Sequence, residues 1–268
     1  MQAPHPYANS TCASFCSRGV LHSLSSTSRR GVLLLHGFTS ALSAVSGIVP
    51  DLERLGIDVE MPVLRGHQQT PEALIGVHAS DWFDDASAAL DKLAQRVDKI
   101  VIVGLSMGGL TTLQLCAKRR DKRDCIAGAV TWAPALGFAN PLARLAIPLS
   151  RFVPFCRGQD SFRDPECRKK NENYPYFPTK AFVELLNYAK DTRKILDDVE
   201  VPLCVIHSRR DQVIPYKNSL ALFDEAGSAY VELHSLERSG HELGLDCEAE
   251  TVFGITVDFI QRLFGEKS

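Results

Sequence analysis

The 268-residue chain has no uninterrupted apolar run near the roughly 18 residues that a membrane-spanning helix needs. It has almost no net charge, with 30 Lys and Arg against 32 Asp and Glu leaving −2 at pH 7. No overall field therefore draws it to nucleic acid or to an anionic membrane. Two basic clusters, KRRDKR at 118–123 and CRKK at 167–170, are short or interrupted by acid and read as solvated surface. The cysteines Cys12, Cys16, Cys116, Cys125, Cys156, Cys167, Cys204 and Cys247 contain no CxxC pair, and no Cys or His pair has zinc-ligand spacing. No metal is expected, and free thiols are the default. Cys156 and Cys167 are the one pair whose closeness in an irregular region admits a disulfide. The opening residues, MQAPHPYANSTCASFCSRG, lack the basic start and apolar core of a secretory signal, so a cytoplasmic location is the expectation. Repeats and low-complexity tracts are missing as well.

What is present is an ordinary globular composition, 45% hydrophobic and 23% charged. The length suits one large α/β domain, or a core domain with an insertion. Short apolar runs recur: GVLLL at 31–35, KIVIV at 99–103, IAGAVT at 126–131, PLCVI at 202–206 and YVEL at 230–233. Each is short for a helix and most are rich in β-branched residues, as strands buried on both faces are. Helix-period segments lie among them, at 82–97, 180–196 and 252–263. The alternation predicts a mostly parallel sheet flanked by helices, with reactive groups where strands end. Residues 134–180 break the pattern. They are dense in proline and aromatics, show no clear strand, and are too long for a simple loop. They read as a small cap inserted between core segments 1–133 and 181–268.

The stretch VIVGLSMGGL carries the chemistry. Gly104-Leu105-Ser106-Met107-Gly108 is a G-x-S-x-G sequence between a predicted strand and a predicted helix. A chain that turns this sharply brings the positions two before and two after the serine almost into contact, so both must be small. The turn lifts the hydroxyl clear of the sheet and aims the first helix amides at the same point. A serine needs a base, and the base needs a third group to hold its tautomer. Asp211, in CVIHSRRDQVIP, follows a predicted strand. His241, in LERSGHELGLD, follows the next one. The order serine, acid, histidine suits this type of sheet. LLLHGFTS ends another strand, which makes the Phe38 amide a second oxyanion donor beside that of Met107. His36 reads as a local support for that turn. The remaining histidines, His5, His22, His67, His78, His207 and His234, are read as structural or exposed.

At these residues the sequence resembles the α/β-hydrolase superfamily, and within it the branch of bacterial carboxylesterases and monoacylglycerol lipases. The resemblance rests on LLLHGFTS, PVLRGHQQTPEAL, SDWFDDA, GLSMGG, SRRDQVI and SGHELGLD, which span residues 31 to about 250. It implies an α/β-hydrolase fold with a short cap. It also implies a serine carboxylesterase that cleaves short- to medium-chain esters through an acyl-serine, with Ser106, Asp211 and His241 as the catalytic residues and no cofactor. A monoacylglycerol lipase or a lysophospholipase-like enzyme is the alternative. A non-catalytic ligand-binding homologue is the reading from another class, and the presence of all three residues counts against it. The first half of the cap is strongly apolar, from Leu136 and Phe138 through Leu142, Leu145, Ile147, Leu149, Phe152 and Val153 to Phe155. These residues are expected to form cap core, or else to line an acyl channel or touch a lipid surface transiently.

Overall fold

The computed structural model describes residues 14–22 and 28–265. Its strands are β1 (Ser14–Arg18), β2 (Arg30–Leu35), β3 (Asp58–Glu60), β4 (Lys99–Leu105), β5 (Ile126–Trp132), β6 (Phe155–Arg157), β7 (Tyr176–Pro178), β8 (Leu203–Ser208) and β9 (Val231–Leu236). The helices are α1 (Ser43–Ser46), α2 (Val49–Arg54), α3 (Ala79–Ala94), α4 (Met107–Lys118), α5 (Ala146–Leu149), α6 (Pro165–Arg168), α7 (Thr179–Arg193), α8 (Lys217–Glu225) and α9 (Ala249–Leu263). Among the described residues, no helix is long and apolar enough to cross a membrane.

Seven strands form one sheet in the order β1-β9-β8-β5-β4-β2-β3, parallel throughout except for β1. The apolar runs owe their continuity to burial on both sides. Leu33, Leu35, Ile100, Ile102, Leu203 and Val205 face a core built with α3, α4 and α7. Their neighbours Val32, Leu34, Val101, Val103, Cys204 and Ile206 face a second core built with α1, α2 and α9. Side chains alternate across a strand, so a strand covered on both faces is apolar at most positions. Each fully buried Leu, Ile or Val contributes about 1.5–3 kcal/mol relative to exposure.

Two features depart from the sequence reading. The N-terminal region, for which the sequence offered no role, supplies β1, which pairs antiparallel with β9 from Ser14↔Ser235 to Arg18↔Val231. The Arg18 guanidinium fastens it by donating to the carbonyls of Phe223 (2.8 Å), Ser228 (3.0 Å) and Ala226 (2.5 Å). The irregular segment is not strandless, because β6 and β7 pair antiparallel within it. Each has three residues and one ends in proline, too short a run to show alternation. Cys156 and Cys167 are both free, as are the other described cysteines. The Cys156 thiol lies 3.2 Å from the Thr179 hydroxyl, and Cys167 sits in α6.

Most of the apolar residues in the first half of that segment are not buried core. Leu136 is buried, but Phe152 is 80% exposed, and Leu142, Leu145, Ile147 and Leu149 are exposed as well. The basic cluster at 118–123 is solvated and paired: Arg119 meets Asp91 and Asp121, Arg120 meets Asp198, and Arg123 meets Glu200.

Candidate active site

The turn from β4 into α4 is as tight as its glycines imply. Ser106 has φ 56° and ψ −110°, in the positive-φ region that costs a non-glycine residue energy. A Cβ on Gly104 would lie 2.2 Å from the Gly108 carbonyl oxygen, and one on Gly108 would lie 2.2 Å from that of Leu35. The serine is anchored on both sides, its N–H donating to Trp132 (2.8 Å) and its carbonyl accepting from Leu110 and Ala135 (both 3.2 Å).

Ser106, Asp211 and His241 come together at the carboxyl ends of β4, β8 and β9. His241 Nε2 lies 2.8 Å from Ser106 Oγ, and its Nδ1 lies 2.7 Å from Asp211 Oδ2. A carboxylate only accepts, so Nδ1 carries the proton and Nε2 is free to accept from the serine hydroxyl. The Asp211 side chain is fully buried, and its Oδ1 accepts the amides of Val213 and Ile214 (both 2.8 Å). Burial alone would favour its neutral form. The adjoining His241 and His207 outweigh that and hold it well below the usual carboxylate range. For His241, burial opposes the charged ring, but Asp211 and then Glu242 prevail and raise its pKa above the ordinary 6.5.

The Phe38 turn completes the arrangement. A Cβ on Gly37 would come within 3.3 Å of Ser106 Cβ, so the turn packs directly on the serine. The Ser40 amide closes it onto the Gly37 carbonyl (3.3 Å), and the Thr39 amide donates to His67 Nε2 (3.1 Å). The Phe38 amide lies between them, and Met107 is the first residue of α4, whose opening amides have no carbonyl in their own helix. His36 supports the turn locally, with Nδ1 on the Gly37 carbonyl (2.9 Å) and Nε2 accepting from Leu64 N–H (3.1 Å). Burial drives His36 down to about 4. His67, also depressed by burial and then by the neighbouring His36, falls to about 3.

Sequence reasoning missed two members of this neighbourhood. His207, at the end of β8, is fully buried and puts Nε2 3.0 Å from Asp211 Oδ2 and 3.2 Å from the Ile214 carbonyl. Both neighbours are acceptors, so Nε2 carries a proton, and Nδ1 meets the Ser219 hydroxyl at 2.7 Å. Its place four residues before Asp211 was visible in the sequence, but its burial was not. Glu242 is buried beside His241. Its Oε1 accepts from Asn173 Nδ2 at 2.6 Å, and its Oε2 has no partner. Burial raises its pKa. A charged residue directly after His241 was visible in the sequence, but its burial was not. Of the other histidines, His22 and His78 are exposed, His234 is half-buried against Glu232, and His5 lies outside the described residues.

Ser106 and His241 open onto a cavity of about 800 Å³. Its walls include Phe138, Leu149, Val153, Phe177 and Phe182, with Asn173 and Tyr174 among its polar members. The volume falls in the range of small-molecule sites. Elsewhere, Cys204, Glu232 and His234 bring ligand-type atoms within 4.8 Å of one another. Glu232 is already held by Arg262 and by the Tyr230 hydroxyl, so this cluster reads as an ion-pair network.

The family model described as serine aminopeptidase, S33, matches residues 26–248. The chain belongs to this family. It is 27% identical over 239 residues to a thermostable monoacylglycerol lipase of Bacillus sp. (strain H-257), covering 88% of this chain and 92% of that protein. It is 25% identical over 247 residues to a carboxylesterase of Bacillus subtilis (strain 168), covering 87% and 93%. A structure described with the metagenome-derived lipolytic enzymes LipS and LipT superposes with a TM-score of 0.81 at 29% identity, covering 96% of this chain and 98% of that one. The mostly parallel sheet flanked by helices is thus an α/β-hydrolase fold.

Proposed function

We propose that the protein is a serine carboxylesterase acting on short- to medium-chain carboxylic esters. The observation that carries this reading is the hydrogen-bond relay from Asp211 through His241 to Ser106 at the foot of the cavity, 2.7 and 2.8 Å per link. The relatives named carboxylesterase and monoacylglycerol lipase support it.

In the first step Ser106 Oγ attacks the ester carbonyl while His241 Nε2 takes its proton. The amides of Phe38 and Met107 stabilise the oxyanion. Asp211 stays ionised and steadies the imidazolium. His241 then gives the proton to the departing alkoxide, which leaves as the alcohol with an acyl-serine behind. In the second step His241 takes a proton from water, the resulting hydroxide adds to the acyl carbonyl, and the acid departs as Ser106 recovers its proton. No step calls for a metal or an organic cofactor. The described thiols, all free, fit a reducing compartment such as the cytoplasm.

A second reading is favoured by the exposed apolar rim at Leu142, Leu145, Ile147, Leu149 and Phe152. Such a rim suits transient contact with a lipid surface and a monoacylglycerol substrate. The test for both is hydrolysis of p-nitrophenyl esters from acetyl to palmitoyl and of 1-monoacylglycerols, with Ser106→Ala as control. Ester turnover that the substitution lowers by about 10⁴-fold or more is expected. A preference for monoacylglycerol selects the second reading. Inactivity on every ester, with no labelling of Ser106 by a fluorophosphonate, refutes the hydrolase assignment.

A further inference from the structure

The irregular segment that roofs the cavity also grips the loop that carries His241. The Ser161 carbonyl accepts the His241 amide at 2.7 Å and the Glu242 amide at 3.3 Å. A Cβ on Gly240 would lie 2.4 Å from that same carbonyl oxygen, so the two backbones approach as closely as glycine permits. Asn173, from the far end of the segment, donates to Glu242 Oε1 at 2.6 Å. The Asp246 carboxylate, 2% exposed, accepts four amides. Its Oδ2 takes Gly240 (2.7 Å) and Arg163 (2.8 Å), and its Oδ1 takes Cys247 (2.9 Å) and Asp164 (3.1 Å). Each oxygen thus receives one amide from the histidine loop and one from the roofing segment.

We infer that Asp246 is a positioning residue that ties the inserted segment to the catalytic histidine, so that the insertion holds the reaction geometry as well as shaping the pocket. This rests on His241 being the general base. A carboxylate offers about four acceptor sites, and all four are used here. An asparagine of the same shape would turn one oxygen into a donor facing two N–H groups, leaving buried amides unpaired. The loop would then settle elsewhere, and a displacement of about 1 Å at a reacting group lowers rate by roughly 10²-fold. The dependence extends to an acetyl ester, which has no long acyl chain for the apolar walls to hold.

The test compares the full-length protein with Asp246→Asn and Asp246→Ala on p-nitrophenyl acetate, with kcat expressed per fluorophosphonate-reactive serine. The expected result is a fall in kcat of about 10–100-fold with KM within about threefold. The low-field NMR resonance of the proton shared by His241 and Asp211 should broaden or vanish. Asn173→Ala covers the case in which neither Asp246 variant folds. It removes another tether from a half-buried position and should lower acetate kcat by about three- to tenfold. Acetate kcat per reactive serine that stays at the wild-type value, with only melting temperature or chain-length preference changed, overturns the inference. If the wild-type protein cleaves no ester, the esterase reading fails on its own. An unchanged low-field resonance in the variants then overturns this inference separately.

Discussion

At the scale of single residues, the site concentrates ionisable groups in a place that water barely reaches. Ser106 and His241 are each less than a tenth exposed, and the Asp211 carboxylate is sealed. In such surroundings one neighbouring charge moves a proton equilibrium strongly. In the proposed mechanism His241 acts as a base only when neutral, and Asp211 and Glu242 both stabilise its charged form. The acid limb of kcat/KM should therefore lie above 6.5. Glu242→Gln removes one of the two supporting charges, so that limb should move to lower pH while the Ser106–His241 contact is kept. A pH–rate profile of the two proteins checks this, and a limb that stays in place or moves upward contradicts it. Ser106, Asp211 and His241 could be found in the sequence because each closely follows an apolar run and one is bracketed by glycines. His207 and Glu242 could not, because their part in the site depends on what surrounds them. Nothing local distinguishes a buried imidazole four residues before an aspartate from a solvated one.

At the scale of elements, the turn between β4 and α4 sets the tolerance of the whole site. Position 108 has no room for a methyl group, since its neighbours are the backbone carbonyls of Leu35 and His36, which cannot rotate away as a side chain would. Gly108→Ala is expected to cost about 3 kcal/mol or more, read as a lower denaturation midpoint with loss of fluorophosphonate labelling. A variant with wild-type midpoint and labelling would show that the turn opens more readily than this packing allows. The same physics explains which elements were legible beforehand. β2, β4, β5 and β8 are buried on both faces and left mostly continuous apolar runs, whereas β9 alternates and buries Glu232 against Arg262 and the Tyr230 hydroxyl. The longer helices α3, α7 and α9 were recognisable by period, although α3 starts at Ala79 rather than 82, because Asp81 accepts the His78 amide at 2.8 Å and sets the beginning of the helix. β3, β6 and β7 have three residues each and no readable period. β1, with Ser14, Phe15, Cys16 and Ser17 exposed, carries no burial pattern at all. It is a strand because β9 offers it an edge.

At the scale of the molecule, His36 and His67 link the site to overall stability. Both use Nε2 as an acceptor and donate from Nδ1, so both must stay neutral in the folded protein. Unfolded, they take up a proton near 6.5; folded, they resist until about 4 and about 3. Below 6.5 the unfolded chain therefore binds more protons than the folded one, and stability falls as pH falls. Each histidine removes up to about 1.4 kcal/mol per pH unit in that window. Denaturant midpoints should decline between pH 6 and pH 5, with these two histidines contributing an uptake of up to about two protons on unfolding. A midpoint that does not change across that interval would contradict this. The pairing of β1 with β9 bears on how the chain is made. Ser14 lies opposite Ser235, so the first described strand to leave the ribosome cannot be seated until one of the last has been synthesised. Closing so long a loop is slow, and pairings of this span belong to the late part of folding. Until then the outer edge of β9 stays open to any strand in reach, including the β1 of another nascent chain.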